Sequence, residues 1–136
     1  MSKYGKSSAG WRDVGDKRCF FRSRWEANYA RYLELQKSNR EIAGWKHESK
    51  TFWFESIRRG IRSYKPDFEV LGMDGSTWFV EVKGFMDKQS ATKLKRMKIH
   101  HKHVTVLLVD QHEYLQIEKS VLEGRIKILD WEYKNG

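Results

Sequence analysis

Gly72-Met73-Asp74-Gly75 is a tight-turn sequence set between two runs of strand character, and it obliges the chain to fold back on itself there. The first run, residues 62–71, carries the only proline, Pro66. Proline cannot donate a ladder hydrogen bond, so it marks an edge, an entry point or a bulge. In the second run, residues 77–83, side chains two apart project from one face, so Glu81 and Lys83 stand together while Val80 and Val82 fill the other. A basic helix over residues 90–102 follows, with Leu94 and Met97 as a narrow apolar stripe. Residues 104–109 are a continuous apolar run of strand length, the kind buried on both faces. A hairpin, a helical crossover and a further strand predict a mixed sheet whose last pairing is parallel.

Around this centre the spacing predicts a helix over residues 23–38, with Trp25, Tyr29, Tyr32, Leu33 and Gln36 along one face. Ser23 and Glu26 stand in the S-x-x-E relation of a capping box, in which hydroxyl and carboxylate satisfy free amides of the first turn. Residues 45–54 read as one strand, residues 117–122 as a weaker helix and residues 126–129 as a last strand. The expected fold class is α/β, a mixed central β-sheet flanked by helices. At 136 residues the chain matches one domain, residues 1–136, with room for a single core.

Lys and Arg outnumber Asp and Glu by 27 to 18, and a net charge of +9 on so short a chain suits a polyanion, of which nucleic acid is the obvious one. With 33% charged residues and a mean hydropathy of −0.79, most helix faces should be solvated. No run is long and apolar enough to suggest a membrane span, and no signal-peptide core is evident, so neither membrane binding nor secretion is expected. Residues 1–24 hold Lys3, Lys6, Arg12, Lys17, Arg18, Arg22 and Arg24 against Asp13 and Asp16. Several Gly and Ser make this a poor helix or strand, so residues 1–22 read as a flexible basic arm that settles on phosphates or remains a solvated tail. Lys88, Lys93, Lys95, Arg96, Lys98 and Lys102 form a second basic group, read as backbone contacts to DNA rather than a merely solvated face. Cys19 is the single cysteine and has no partner for a disulfide or zinc site, which fits a reducing cytoplasm and a packing role.

Three positions carry chemistry: Asp67 after Pro66, then Glu81 and Lys83. If the hairpin brings Asp67 opposite Glu81, two hard oxygen ligands lie close together, which is what magnesium prefers. A metal held there would polarise a phosphate and acidify a water, with Lys83 orienting that water or stabilising the transition state.

Pro66-Asp67 followed by Glu81-Val82-Lys83 resembles the metal-binding signature of the restriction-endonuclease-like nuclease superfamily. The likeness sharpens when Phe21-Arg22-Ser23 with Glu26, Tyr64-Lys65-Pro66-Asp67-Phe68 and Phe79-Val80-Glu81-Val82-Lys83-Gly84 are read in order. These blocks, over roughly residues 4–85, resemble the phage endonuclease I type of Holliday-junction resolvase. The resemblance implies Asp67, Glu81 and the Val82 carbonyl as metal ligands, Lys83 as catalytic lysine and Glu26 as a further acidic member from the first helix. It also implies Mg2+, with Mn2+ able to substitute and no small-molecule cofactor, and an intertwined homodimer resolving four-way junctions in the host cytoplasm. The linker 84–89 and the last 25 or so residues depart from the pattern.

Each residue also has a plainly structural reading. Asp67 fits a turn aspartate beside proline, Glu81 and Lys83 an exposed ion pair, and Glu26 the capping box alone. His100, His101 and His103 read as the end of a basic helix, where histidine meets free carbonyls or phosphate, and not as a metal site. Trp53 and the other aromatics read as core. The expected activity is metal-dependent endonucleolytic cleavage of branched DNA. The alternatives are a nuclease of the same fold acting on flaps, ends or a specific sequence, and a basic binding module without catalysis.

Overall fold

A computed structural model describes residues 8–134. From the amino terminus, β1 (Gly10–Val14) and β2 (Lys17–Phe21) form an antiparallel hairpin that leads into α1 (Arg24–Ser38). Then come β3 (Ile42–His47), the short strands β4 (Phe52–Trp53) and β5 (Ser63–Tyr64), and the pair β6 (Phe68–Gly72) and β7 (Thr77–Val82). The chain continues through α2 (Lys88–His100) and β8 (Val106–Val109) to α3 (Gln111–Leu122). The central sheet has the order β3-β6-β7-β8, antiparallel except for the parallel β7–β8 pairing after the α2 crossover. The expected mixed α/β sheet is present.

The β6–β7 turn works as its residues predict: Gly75 takes φ +88, open to glycine without strain, and Asp74 accepts hydrogen bonds from the Ser76 amide and hydroxyl. Helix α1 starts where the capping box places it, with the Ser23 hydroxyl accepting from the Glu26 amide at 3.1 Å. Ala27, Ala30 and Leu33 lie buried along it, small enough to let the helix sit close to the sheet. The faces of the sheet feed two cores. Phe68, Val70 and Val80 join Trp45, Leu33 and Tyr114 on the α1 side, while Phe79 packs with Phe52, Phe54, Tyr64 and Met97 on the α2 side.

Several expectations are corrected. Residues 10–21 are a hairpin, not a flexible arm: Gly15 at φ +62 opens a two-residue loop, and Val14 and Phe21 are buried against the core. Burial of alternate residues overrides a composition that favours disorder. Lys3 and Lys6 lie outside the described residues. Residues 45–54 are two strands in different sheets, because Glu48 at φ +48 breaks the extended path after His47. Residues 62–71 divide likewise at Pro66, which precedes β6. Helix α2 begins at Lys88, capped by the Asp87 carboxylate, and α3 at Gln111, capped by Asp110. Strand β8 is not buried on both faces: it is the sheet edge, and Leu107 is 47% exposed. Residues 126–129 form no strand, although Ile128 is buried beside Trp131 in the core.

The carboxy-terminal segment is pinned to α1. The Glu132 backbone exchanges hydrogen bonds with the Asn28 side chain at 2.9 Å in both directions, and the Glu132 carboxylate receives Arg12 and Arg31. No helix of the described residues is long and apolar enough to cross a membrane.

Candidate active site

The strand register builds the site. Phe68 pairs with Val80 across the β6–β7 ladder, so one residue further out Asp67 comes beside Glu81. On the other side His47 pairs with Phe68, and the Glu48 amide donates to the Asp67 carbonyl at 2.8 Å. Glu48, Asp67 and Glu81 therefore stand at the same end of three adjacent strands, each spaced by roughly the 4.8 Å of a sheet ladder. Glu26 reaches this end from the first turn of α1.

Asp67 is only 7% exposed, and its Oδ2 accepts from the Val82 amide at 2.8 Å. Burial raises its carboxyl well above the ordinary carboxylate range, and the charges of Glu81, Glu26 and Glu48 push the same way, opposed by the Val82 amide. Glu81 is also raised by burial, and is held back by the Tyr64 hydroxyl, Lys83, the Asp67 backbone amide and Lys93. Tyr64 donates to Glu81 Oε1 at 2.8 Å, and burial, with Glu81 beside it, raises the phenol so that it stays a donor.

Glu26, 5% exposed, does more than cap. Its Oε1 accepts from the Arg22 amide at 3.3 Å, and its Oε2 lies 2.5 Å from His47 Nε2. One ligand atom each from Glu26, His47 and Glu48 falls within 4.8 Å of the others, a spacing able to hold one cation. His47 is wedged between Phe21 and Phe68, with ring centroids at 4.7 and 5.4 Å. The sequence reading missed His47 and Glu48. Residues 46–48 resemble an ordinary alternating strand end, and only their pairing with β6 brings them to Asp67.

Hard carboxylate oxygens gathered around a desolvated Asp67 fit a divalent cation: the cluster is electrostatically unfavourable until positive charge or protons enter it. Asp67 and Glu81 offer the one or two carboxylates that magnesium takes. Extended backbone presents the amide and carbonyl of a residue on the same side, so the Val82 carbonyl opens toward β6 with its amide.

Lys83 is half-buried, acts on Glu81, and sits where its amide donates to the Val109 carbonyl at 2.9 Å. It also lines an open pocket of about 470 Å³ with Met86, Leu108 and Leu115. None of Glu26, Glu48, Asp67 and Glu81 lines that pocket. The acidic centre sits instead at the strand ends.

The basic residues divide by what they touch. Arg12 donates to Glu132 and to the carbonyls of Ser8 and Gly10, Arg24 binds Glu118 and the Glu132 carbonyl, and Arg96 binds the Ile61 carbonyl. Lys17 lies 4.9 Å over the Trp45 ring. These four hold the fold together. Lys88, Lys95 and Lys98 are exposed on α2, as are Arg18 on the hairpin and Arg22 just beyond it, and the half-buried Lys93 adds its charge to those that hold Glu81 down. His100 and His101 pack against Phe54, and His101 Nε2 meets the Trp53 carbonyl. Trp53 itself is exposed, not core.

A family model described as "Protein of unknown function (DUF1064)" matches residues 1–116. No curated protein and no solved structure matches the chain.

Proposed function

The chain belongs to the DUF1064 family, and we propose that it is a magnesium-dependent DNA endonuclease of restriction-endonuclease-like fold that cuts four-way junctions as a homodimer. The observation that carries this reading is the convergence of Glu26, Glu48 and Glu81 on the buried Asp67, with Lys83 beside Glu81. Three carboxylates whose charges all bear on a buried fourth are electrostatically costly until a cation joins them. Glu48 adds to the case: a non-glycine residue at φ +48 stores backbone strain, and such strain gathers at functional sites.

Asp67, Glu81 and the Val82 carbonyl would hold magnesium. The bound ion supplies Lewis-acid polarisation of the phosphate and a lowered pKa for a water. The chain's own groups do the rest. Tyr64 and the Asp67 amide fix the Glu81 carboxylate, so the ligand set is organised before substrate arrives. Lys83 places a positive charge beside Glu81, where negative charge grows on the phosphoryl oxygens in the transition state. Glu26 lies close enough to raise Asp67, and His47 fixes its orientation. Lys88, Lys95 and Lys98 offer exposed charge to the DNA backbone, which fixes orientation without reading sequence. A four-way junction is resolved by paired incisions, which two copies of one site provide.

The test is cleavage of end-labelled four-way junction, flap, duplex and single strand, with and without magnesium, by the wild type and Asp67→Ala. Paired nicks in the junction, absent without metal and absent in the variant while binding persists, are expected. Equal cutting of all four substrates would replace junction selectivity with a broader nuclease, and binding without cutting under any metal condition would end the catalytic reading.

A further inference from the structure

We propose that the outward face of the β1–β2 hairpin is a stacking platform for an unpaired nucleic-acid base, formed by Trp11 and Phe20 between Arg18 and Arg22. The platform rests on the nuclease reading only for its purpose; its existence is tested separately.

The hairpin has a working inner face and an unexplained outer one. Val14 and Phe21 are buried against the core, and Arg12 and Cys19 turn the same way, so alternation should leave the outer face polar. It is not. Trp11 is 60% exposed and Phe20, directly across the ladder, 45%. The two rings meet edge to face at 5.7 Å, and much of each remains open to solvent. A cross-strand aromatic pair steadies a hairpin modestly, a task that smaller β-branched residues also perform.

The surroundings select a nucleic acid as the occupant. Arg18 and Arg22 flank Phe20 in the sequence, all three residues are exposed, and the Arg18 group lies 6.0 Å over the Trp11 ring. Their present partners, Asp13 at 3.1 Å and Glu48 at 3.2 Å, form ion pairs open enough for a phosphate to compete. Aromatic faces beside arginines are how proteins hold single-stranded bases without reading them. The chain's +9 charge draws the same polymer.

Position gives the platform its use. Phe21, the next residue, packs on His47, and Arg22 touches Glu26 through its amide and Glu48 through its side chain. Phe20 is thus two residues, roughly 7 Å of extended backbone, from a residue that touches the acidic centre. A base unstacked at a branch point would rest on the rings while the neighbouring phosphate lies at the carboxylates. Intact duplex offers no such base, so the hairpin supplies a reason for structure selectivity that the catalytic residues lack.

The experiment uses the full chain in EDTA, where no cutting is needed, and DNA carrying 2-aminopurine in a single strand, at the branch of a four-way junction, or within continuous duplex. Stacking on the rings changes the 2-aminopurine emission in the first two and leaves the duplex probe unchanged. In Trp11→Ala/Phe20→Ala the change disappears and single-strand affinity falls roughly tenfold or more, while duplex affinity holds. Trp11→Phe/Phe20→Tyr, which keeps both rings, retains the signal. No emission change with the wild type overturns the proposal without any variant having to fold. Equal weakening for duplex and single strand, or a shift from dimer to monomer with DNA binding intact, overturns it as well; the latter assigns the patch to contact between copies. If the signal is present but the junction is never cut with magnesium, the platform stands and the nuclease reading falls.

Discussion

The Asp67 carboxylate accepts a hydrogen bond from the Val82 amide at 2.8 Å, which ties the start of β6 to the end of β7 through a side chain, beyond the last residues that the ladder pairs. The charge of the site is thereby placed by the sheet itself. Asp67 cannot swing away to relieve its crowding without giving up that bond. Its neighbours set its chemistry, and consequences for stability and rate follow.

Asp67 titrates in a direction that can be checked without substrate. Its folded pKa lies above the unfolded value, so its contribution to stability is full at low pH and is lost as pH rises through the folded value. In chelator, Asp67→Asn should therefore match or exceed the wild type in Tm at pH 8, with the gap closing toward pH 4. Magnesium should raise the Tm of the wild type and leave the variant unmoved. Scanning fluorimetry across pH settles both, and a variant less stable at pH 8 would refute the crowding.

Lys83→Ala should slow single-turnover cleavage of a junction roughly 100-fold or more, the scale for removing one group that stabilises transition-state charge. Junction affinity should stay within a few-fold. Lys83→Arg should recover little, because a planar fork does not replace a compact ammonium charge. Rapid-quench kinetics with the variant in excess over DNA reads the step directly.

Glu48 separates function from stability. At φ +48 a glycine fits better than any residue with a Cβ, and Glu48→Gly also removes one negative charge near Asp67. The variant should be as stable as the wild type or more so, by up to about 1 kcal/mol, despite losing a partly exposed ion pair to Arg22. Cleavage should fall. A destabilised variant with full activity would make Glu48 a structural residue. Chemical denaturation and the junction assay give the two numbers.

The basic residues should split by measurement as they do by contact. Arg24→Ala leaves the half-buried Glu118 without its cationic partner and should lower stability by about 1–3 kcal/mol with an unchanged salt dependence of DNA binding. Lys95→Ala with Lys98→Ala should do the reverse. The slope of log affinity against log salt should shrink by nearly two, at about 0.9 per phosphate contact, with stability within about 0.5 kcal/mol. Titrations at several salt concentrations, paired with melts, distinguish the classes.

By itself the sequence determined the parts that depend on neighbours in the chain. The Gly72–Gly75 turn, the parity that puts Glu81 and Lys83 on one face, the Ser23 cap and the α2 crossover into a parallel strand are local rules of spacing and turn chemistry, and they held. Tertiary structure decided the rest. Residues 10–21 looked too glycine-rich to order until the core received Val14 and Phe21, Arg12 and Arg24 looked free until Glu132 and Glu118 met them, and His47 and Glu48 gained meaning only from β3 lying against β6. The reason is physical: periodicity fixes which way a side chain points, but burial, charge pairing and cross-strand register arise between segments far apart in the chain, and no local pattern records them.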